Sequence, residues 1–340
     1  MLNNIYSTPL HGVELFLCEQ LFNESSRQLP YSLLIQYGSI SEPSTKALWE
    51  LQDAGANYST HLALFRASAD SYVLSVDCEG KGKFAIGPGS ITIDWEDGGT
   101  SAAHYFQTLA ISLWLELQGV VCIHANAVKV GNKTVAFIAP SGMGKSTISA
   151  YMQQQGFAWL TDDMLALHQT VSEQTWVVYP SWPKARMWPD AIESVGVSGN
   201  DKLSKVHKRF AKLELELPDN DAYSGTKLDA IYILSRSGAQ LASLKQNTRL
   251  LAPSGSYLSE PTSNIALSDI SSSTALMALL QNSILGNAYS SLALEQARFS
   301  QLSELVSNVP IKQLHYPSGL SNLNHVCKLV LEDLQYLEPS

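Results

Sequence analysis

The stretch V-A-F-I-A-P-S-G-M-G-K-S-T, residues 135–147, decides the fold of this chain. Apolar residues before the glycines predict a strand, and a helix is predicted from Lys145 to Gln155, ending at Gly156. A strand, a glycine-rich loop and a helix in this order are typical of a phosphate-binding P-loop. The N–H groups of such a loop and the N-terminus of its helix surround a phosphate. We therefore predict an α/β domain that binds a nucleotide.

Each residue type of this loop has a predicted role in nucleotide binding. Lys145 would reach the β- and γ-phosphates, and the Ser146 hydroxyl would bind magnesium. Ala139 replaces the first glycine of the usual pattern, which is a mild departure if its φ is negative. A chance Gly-Lys-Ser turn is the alternative, but the flanking elements favour nucleotide binding. The predicted nucleotide-binding residues of the loop are Ser141, Gly142, Met143, Gly144, Lys145, Ser146 and Thr147.

Two adjacent carboxylates follow at a suitable distance along the chain. The apolar run F-A-W-L-T, residues 157–161, ends at Asp162 and Asp163. A helix of 11 residues from Lys145 to Gln155 advances about 16 Å, and a parallel strand of about five residues returns a similar distance. This return predicts that both carboxylates lie at the sheet edge that carries the P-loop. One could hold magnesium and one could accept a proton from an attacking hydroxyl, although a solvated turn is the common use of such pairs.

The elements around this unit can also be predicted. Residues 1–99 contain short strand patterns bounded by Gly, Pro and Asp, at Tyr31–Gln36, Tyr72–Val76 and Ile91–Trp95, with a hairpin expected between Gly80 and Gly89. Residues 102–117 predict an amphipathic helix, and Val120–Val130 with Thr134–Ile138 predict a β-hairpin. Further on we predict helices within 271–297, a strand at Pro310–Tyr316 and a helix at Leu323–Leu337. The division is a β-rich domain at 1–99 and a catalytic domain at 100–340.

Composition excludes several classes of protein. The chain of 340 residues is 45% apolar and only 16% charged, below the roughly 25% charged residues of typical soluble domains, so it is not disordered. Its net charge of -9 argues against general nucleic-acid binding. Four dispersed cysteines suggest neither a zinc site nor a disulfide framework. With no membrane span and no secretory signal recognised, we expect a cytoplasmic protein.

Several of these residues together resemble the HPr kinase/phosphorylase superfamily, especially its shorter HPr kinase-related members. The resembling features are His124 in C-I-H-A-N-A-V, the loop P-S-G-M-G-K-S-T, the pair Asp162-Asp163, and Y-P-S-W-P-K-A-R-M-W-P-D-A at 179–191. The resemblance covers residues from about 119 to 196, less than half of the chain. It implies a fold related to phosphoenolpyruvate carboxykinases, the use of ATP and Mg²⁺, and transfer of the γ-phosphoryl group to a serine hydroxyl.

The same resemblance implies roles for individual residues. Asp162 and Asp163 become the base and the magnesium-linked pair, and His124 a polar residue close to the transferred phosphate. Thr147 stands where family kinases commonly have Glu, and no glycine-rich signature follows residue 200, which argues against the reverse phosphorylase reaction. Relatives with an added N-terminal domain often phosphorylate ribosomally made precursor peptides, including lasso peptides.

Two other groups of charged residues have open interpretations. Arg186 lies in an apolar run, where a phosphate contact and a buried or stacked guanidinium are both reasonable, and Lys184 is a weaker candidate. The segment Lys202–Lys212 carries five Lys or Arg residues and is either a solvated face or a docking site for an acidic substrate.

The expected function is an ATP-dependent serine kinase acting on a peptide or protein, with Lys145, His124, Asp162 and Asp163 as catalytic residues and Ser146 with the two aspartates as metal ligands. A small-molecule hydroxyl kinase and a nucleotide-binding regulator without turnover are the alternatives. The acceptor and the oligomeric state stay open, and a homo-oligomer is compatible with the sequence.

Overall fold

The computed structural model describes residues 9–17, 29–54, 59–170, 174–195, 203–205, 212–218, 221, 223–237 and 265–336. In this part of the chain it is a mixed α/β structure with four sheets. The strands are β1 Val13–Phe16, β2 Tyr31–Tyr37, β3 Trp49–Ala54, β4 Ser59–Arg66, β5 Tyr72–Asp77, β6 Lys81–Ile86, β7 Ser90–Trp95, β8 Val121–Ile123, β9 Ala125–Val130, β10 Lys133–Ile138, β11 Ala158–Thr161, β12 Leu165–Gln169, β13 Trp176–Val178, β14 Lys184–Met187, β15 Leu203–Lys205, β16 Leu213–Glu216, β17 Thr226–Lys227, β18 Ala230–Ser237, β19 Ala266–Asp269 and β20 Ile311–Pro317.

The described helices are α1 Ala102–Tyr105, a π-helical turn Phe106–Ala110, α2 Ile111–Leu117, α3 Lys145–Gln154, α4 Pro189–Ser194, α5 Ser272–Gln281, α6 Glu295–Asn308 and α7 Leu323–Tyr336, with short 3-10 helices at Gly286–Ala288 and Leu320–Asn322. None of them is both long and apolar enough to cross a membrane.

The first sheet is formed entirely from residues before position 99. Its seven strands are ordered β1-β2-β7-β6-β5-β4-β3. The predicted hairpin between Gly80 and Gly89 is wrong in detail, because this segment contains the whole strand β6 with a turn on each side. The hydrophobic core of this sheet continues into later residues such as Phe106, Trp114 and Trp182. The division of the chain at 99/100 stays a prediction.

The central sheet carries the predicted P-loop. Its order is β11-β9-β10-β18-β20-β19, and β10, β18 and β20 run parallel. Side chains of β10 alternate between two cores: Val135 and Phe137 pack with α3 and α7, while Ala136 and Ile138 pack with α5 and α6. Both faces are therefore buried, which explains why this strand is almost uniformly apolar.

The chain returns from α3 in the predicted direction, but not beside β10. Strand β11 pairs antiparallel with β9, and β9 pairs antiparallel with β10. Strands β10 and β11 therefore run the same way with β9 between them, and both end at the edge where the P-loop begins.

The expected strand over residues 120–130 is wrong as one element. It divides at His124 into β8 and β9, and these strands belong to different sheets, since β8 pairs with β12. The backbone N–H of His124 donates to the carbonyl of Asn282, 2.7 Å away, which holds the corner. Local hydrophobicity is the same on both sides of the corner, so the pattern did not reveal it.

The other predicted elements agree with the structure to within a few residues. The helix expected over 102–117 contains the π-helical turn, and Gly119 follows it with φ +89°. Strand β20 and helices α5 and α7 lie where they were expected. Cys78, Cys122 and Cys327 are free thiols, and Cys18 lies outside the described residues.

Two buried histidines join the first sheet to the rest of the protein. The Nε2 of His168 donates to the carbonyl of His11, 2.7 Å away, and the ring of His168 contacts Tyr31 and Tyr179. Burial lowers the pKa of His168 from 6.5 to about 4, and burial together with His168 lowers the pKa of His11 to about 3. Both rings are therefore neutral in the folded protein near pH 7.

We expect the protein to lose stability in mild acid because of these rings. The unfolded chain takes up a proton near pH 6.5 at each histidine, whereas the folded protein does so only near pH 4 or below. The contribution of each ring to the free energy of unfolding is complete above pH 6.5. It falls towards pH 4 by at most about 1.4 kcal/mol per pH unit. Urea unfolding between pH 7 and 4.5 measures this slope. His168→Gln keeps an N–H donor and should flatten the slope; an unchanged slope would contradict this account.

Candidate active site

The predicted P-loop connects the end of β10 to the start of α3. Gly142 and Gly144 have φ of +83° and +102°, which glycine adopts without strain. Ala139 is fully buried and is not among the described residues with positive φ, so the missing first glycine leaves the backbone compatible with alanine. Tyr316 at the end of β20 donates its hydroxyl to the carbonyl of Met143 at 2.7 Å. A parallel strand of the same sheet, separated from β10 by β18, therefore braces the loop.

Gly144 lies against the Tyr316 hydroxyl, so a side chain at this position would disturb the brace. A Cβ atom added at Gly144 would lie 2.7 Å from the Tyr316 hydroxyl, while one added at Gly142 would meet no described atom within 4 Å. We expect Gly144→Ala to weaken nucleotide binding strongly, because backbone strain of roughly 1–2 kcal/mol is combined with displacement of the brace. Gly142→Ala, with the strain alone, is the matched control. Equal nucleotide-dependent thermal shifts in the two variants would contradict the role of Tyr316.

Lys145 is buried inside the loop. Its Nζ donates a hydrogen bond of 2.6 Å to the carbonyl of Ala139. Burial lowers its pKa from 10.5 to about 8, against the opposing effect of Asp163. A lysine held here places a positive charge at the loop, as a bound phosphate requires.

Asp162 is joined directly to the P-loop. Its Oδ1 accepts hydrogen bonds from the Ser146 hydroxyl at 3.0 Å and from Asn126 Nδ2 at 2.9 Å, and its Oδ2 accepts the backbone N–H of Arg186 at 2.7 Å. Burial and the neighbouring charge of Asp163 raise its pKa from 3.8 to about 6. The predicted meeting of the carboxylate with the P-loop serine is thus present as a hydrogen bond.

Asp163 has an unusual backbone conformation that turns the chain at the site. Its φ is +62°, its N–H donates to Asn126 Oδ1 at 3.3 Å, and its carbonyl accepts a hydrogen bond of 2.8 Å from His124 Nδ1. Its Oδ1 lies 3.9 Å from Lys212 Nζ. Burial alone would raise the pKa of Asp163, but Lys212, His124 and Arg186 lower it to about 2. This carboxylate is ionised at neutral pH.

Asn126 holds the site together, and the sequence patterns did not single it out. It is fully buried near the start of β9, between the ends of β10 and β11. Besides Asp162 and Asp163, its carboxamide reaches the hydroxyls of Ser146 and Ser149, at 3.4 and 3.3 Å. The available signal was an amide in an otherwise apolar strand, because a buried polar group requires partners.

His124 lies at the corner between β8 and β9 and has a defined tautomer. Because the carbonyl of Asp163 can only accept, Nδ1 carries the proton and Nε2 of the neutral ring is an acceptor. Burial and the charge of Lys145 lower the pKa of His124 from 6.5 to about 4. The ring is therefore neutral at physiological pH.

The remaining predicted residues are placed at different distances from this centre. Arg186, on β14, is 8% exposed and adds positive charge beside Asp163. Lys184 pairs with Glu214 at 2.6 Å, so its charge is already partnered. Ser141 and Gly142 are exposed on the loop, and Thr147 lies in the first turn of α3.

The basic segment Lys202–Lys212 can be followed only in part. Strand β15 and Lys212 are described, while residues 202 and 206–211 lie outside the described part of the chain. Lys212 faces Asp163, so the end of this segment contributes to the site itself. The two interpretations of this segment from sequence, a solvated face and a docking site, do not include this contact, because Lys212 and Asp163 are far apart in sequence.

Comparison with known proteins adds little. No family model matches the sequence, and no curated protein matches it. Among solved structures, the Hpr(Ser) kinase/phosphatase from Coxiella burnetii is similar, with 12% identity and a TM-score of 0.29, over 63% of this chain and 97% of that chain. The function proposed below therefore depends on the geometry of this chain's own residues.

Proposed function

We propose that this protein is an ATP-dependent kinase that transfers the γ-phosphoryl group to a serine hydroxyl of a peptide or protein. The observation that carries the proposal is the hydrogen-bonded connection from the P-loop serine Ser146 to Asp162. A phosphate-binding loop needs no buried carboxylate, whereas phosphoryl transfer needs both a metal partner and a proton acceptor at the transferred group. The pair Asp162-Asp163 supplies both in one place.

The donors around the P-loop fit magnesium. Ser146 and the two aspartates offer hard oxygen ligands, which Mg²⁺ prefers. The described residues contain no cluster of three His, Cys, Asp or Glu side chains that would hold a metal without other ligands. Magnesium in kinases is held by one or two carboxylates together with substrate phosphates and water, and Asp162 and Asp163 offer such carboxylates. When bound, the ion neutralises charge on the β- and γ-phosphates.

Each of these residues has a separate role in phosphoryl transfer. The loop amides and Lys145 hold the phosphates. The Ser146 hydroxyl donates its proton to Asp162 and accepts from Asn126 Nδ2 at 3.4 Å, which leaves one oxygen lone pair for the metal.

The acceptor oxygen forms a bond to Pγ as the bond from Pγ to the bridging oxygen of ADP breaks. One carboxylate of the pair takes the proton of the acceptor hydroxyl. Arg186 and the neutral His124 both lie beside Asp163 and would contact the transferred group there.

The choice of a peptide acceptor rests on the sequence resemblance to HPr kinase-related proteins. A ribosomally made precursor, of the lasso-peptide type, is the most specific form of this proposal.

Nucleotide binding and transfer can be tested on the full chain. We expect MgATP to raise the melting temperature, since a ligand at 100 times its Kd adds about 2.7 kcal/mol to the free energy of unfolding. Incubation with labelled ATP and seryl peptides should give phosphoserine, detected by mass spectrometry. Absence of any thermal shift with MgATP would refute nucleotide binding. A shift without transfer to any peptide, but with phosphorylation of small alcohols, would favour the small-molecule kinase.

A further inference from the structure

The side of the P-loop that faces away from the two carboxylates is formed by the ends of β18 and β20. In the central sheet β11, which leads to Asp162, lies on one side of β10, and β18 and β20 follow on the other side. The mechanism above uses only the carboxylate side, where the γ-phosphate would lie. A nucleotide that has its γ-phosphate at Asp162 and crosses the loop must extend towards the carboxyl ends of β18 and β20.

Arg236, near the end of β18, lies at the level of the P-loop. Strands β10 and β18 are parallel, and Ile138, the last residue of β10, is in register with Ile233. Arg236 is three residues further along β18, which carries it about 10 Å beyond the end of β10. On the next strand it is in register with Tyr316, whose hydroxyl contacts the carbonyl of Met143 in the loop. The strand therefore places this arginine beside the loop.

The side chain of Arg236 lies on the face of the sheet that α3 covers. Alternate residues of a strand point to the same face, and Tyr232 and Leu234 pack in the core that contains Ile148 of α3. Arg236 is the next residue of this row, and its Nε donates to the Ser318 hydroxyl at 2.9 Å. The guanidinium is therefore on the same face as the N-terminus of α3, where a P-loop binds phosphate.

The charge of Arg236 has no acidic partner in the part of the chain that the structure describes. The side chain is half-buried, Ser318 is a neutral acceptor, and the two Nη groups have no hydrogen-bond partner among the described residues. Burial raises the pKa of Tyr316, and the positive charge of Arg236 opposes this rise, so the guanidinium acts on the hydroxyl that braces the loop. A guanidinium presents two N–H groups side by side, which matches a phosphate. The position is thus suited to an anionic ligand.

The order of the strands gives the direction in which a nucleotide would lie. Neighbouring strands are about 4.8 Å apart, so β18 is one such spacing from β10, on the opposite side from the carboxylates at the end of β11. We propose that Arg236 binds the α-phosphate of the nucleotide through its two Nη groups. This proposal rests on the proposed kinase function and adds to it the direction of ATP across the loop, with the nucleoside on the side of β20. The γ-phosphate then points to Asp162 and Asp163, as transfer to an acceptor requires.

Binding of MgATP and of its α-thio analogues tests this contact. Arg236→Ala should raise the Kd for MgATP at least about tenfold, the size expected when hydrogen bonds to a charged group are lost. Arg236→Gln keeps an N–H donor for Ser318 without the charge, and should weaken binding to the same extent. In wild type, sulfur in place of an α-phosphate oxygen should weaken binding of at least one ATPαS diastereomer, and this difference should disappear in Arg236→Ala. Arg66→Ala, at an exposed position of β4, is the control and should match wild type.

The outcomes separate the two proposals. No binding of MgATP to wild type would refute the kinase function itself. Binding of MgATP to wild type, with an equal Kd in Arg236→Ala, would overturn only the α-phosphate contact. An α-thio difference as large in Arg236→Ala as in wild type would also overturn this contact, because the arginine would then act on the loop and not on the α-phosphate. Equal melting temperatures of the variants without ligand exclude an effect through folding.

Discussion

Replacing Asp162 or Asp163 with asparagine is expected to reduce phosphoryl transfer at least about 100-fold while the fold stays intact. Asparagine keeps the shape of the side chain but removes a charge for magnesium and a proton acceptor. Asp162 has three donors facing it, from Ser146, Asn126 and the backbone of Arg186. An amide can accept on one atom only, so the Asp162 variant should also loosen the connection to the P-loop.

The magnesium dependence of the two variants distinguishes their roles. A variant that loses a metal ligand should need more Mg²⁺ for half-maximal rate, whereas a variant that loses the base should have a low rate at every Mg²⁺ concentration. Asp70→Asn, at an exposed turn of the first sheet, serves as the control. Near-normal transfer by both the Asp162 and Asp163 variants would remove the pair from the mechanism.

Lys145→Ala should abolish stabilisation by MgATP. The substitution removes the charge that compensates the β- and γ-phosphates, and it also leaves the buried carbonyl of Ala139 without its 2.6 Å donor. Thermal shift over a range of MgATP concentrations measures the loss. Lys328→Ala is the matched control, because the Lys328 side chain is 72% exposed on α7.

The melting temperature of Lys145→Ala without nucleotide separates an effect on phosphate binding from an effect on the fold. If the variant without nucleotide melts at the wild-type temperature and shows no shift with MgATP, the lysine acts on the phosphates. If it binds MgATP as wild type does, residues 139–147 do not form a nucleotide site. A lower melting temperature without nucleotide would measure the structural part, which comes from the unpaired carbonyl.

The region around Lys145 shows which structural features the local sequence pattern predicts. Strand, loop and helix around Lys145 follow from short-range chemistry: a buried apolar strand, glycines where φ is positive, and a helix whose first turn carries Ser146. The return of the chain to Asp162 follows from simple lengths, since an element that crosses the domain must cross back. These features depend on neighbours in sequence, and therefore the sequence alone predicts them.

Other features depend on residues that meet only after folding. The insertion of β9 between β10 and β11 brings Asn126 among four polar partners, and nothing near Asn126 in sequence indicates them. The corner at His124 exists because β8 pairs with β12, about 40 residues further on. Lys212 reaches Asp163 across a similar distance.

The small cleft that His11 and Gln107 line together with Asp162 and Asp163 is the extreme case of this dependence. Gln107 and His11 are ordinary residues in their own segments, and their sequence separation from Asp162 is large. Stacking of Phe106 on Trp182 and the hydrogen bond from His11 to Pro180 hold them beside the carboxylates. The sequence by itself thus determined the strand, glycine loop and helix around Lys145 and the return of the chain to the acidic pair, because short-range backbone chemistry specifies them. Only the tertiary structure decided what faces that pair, because long-range packing selects those contacts.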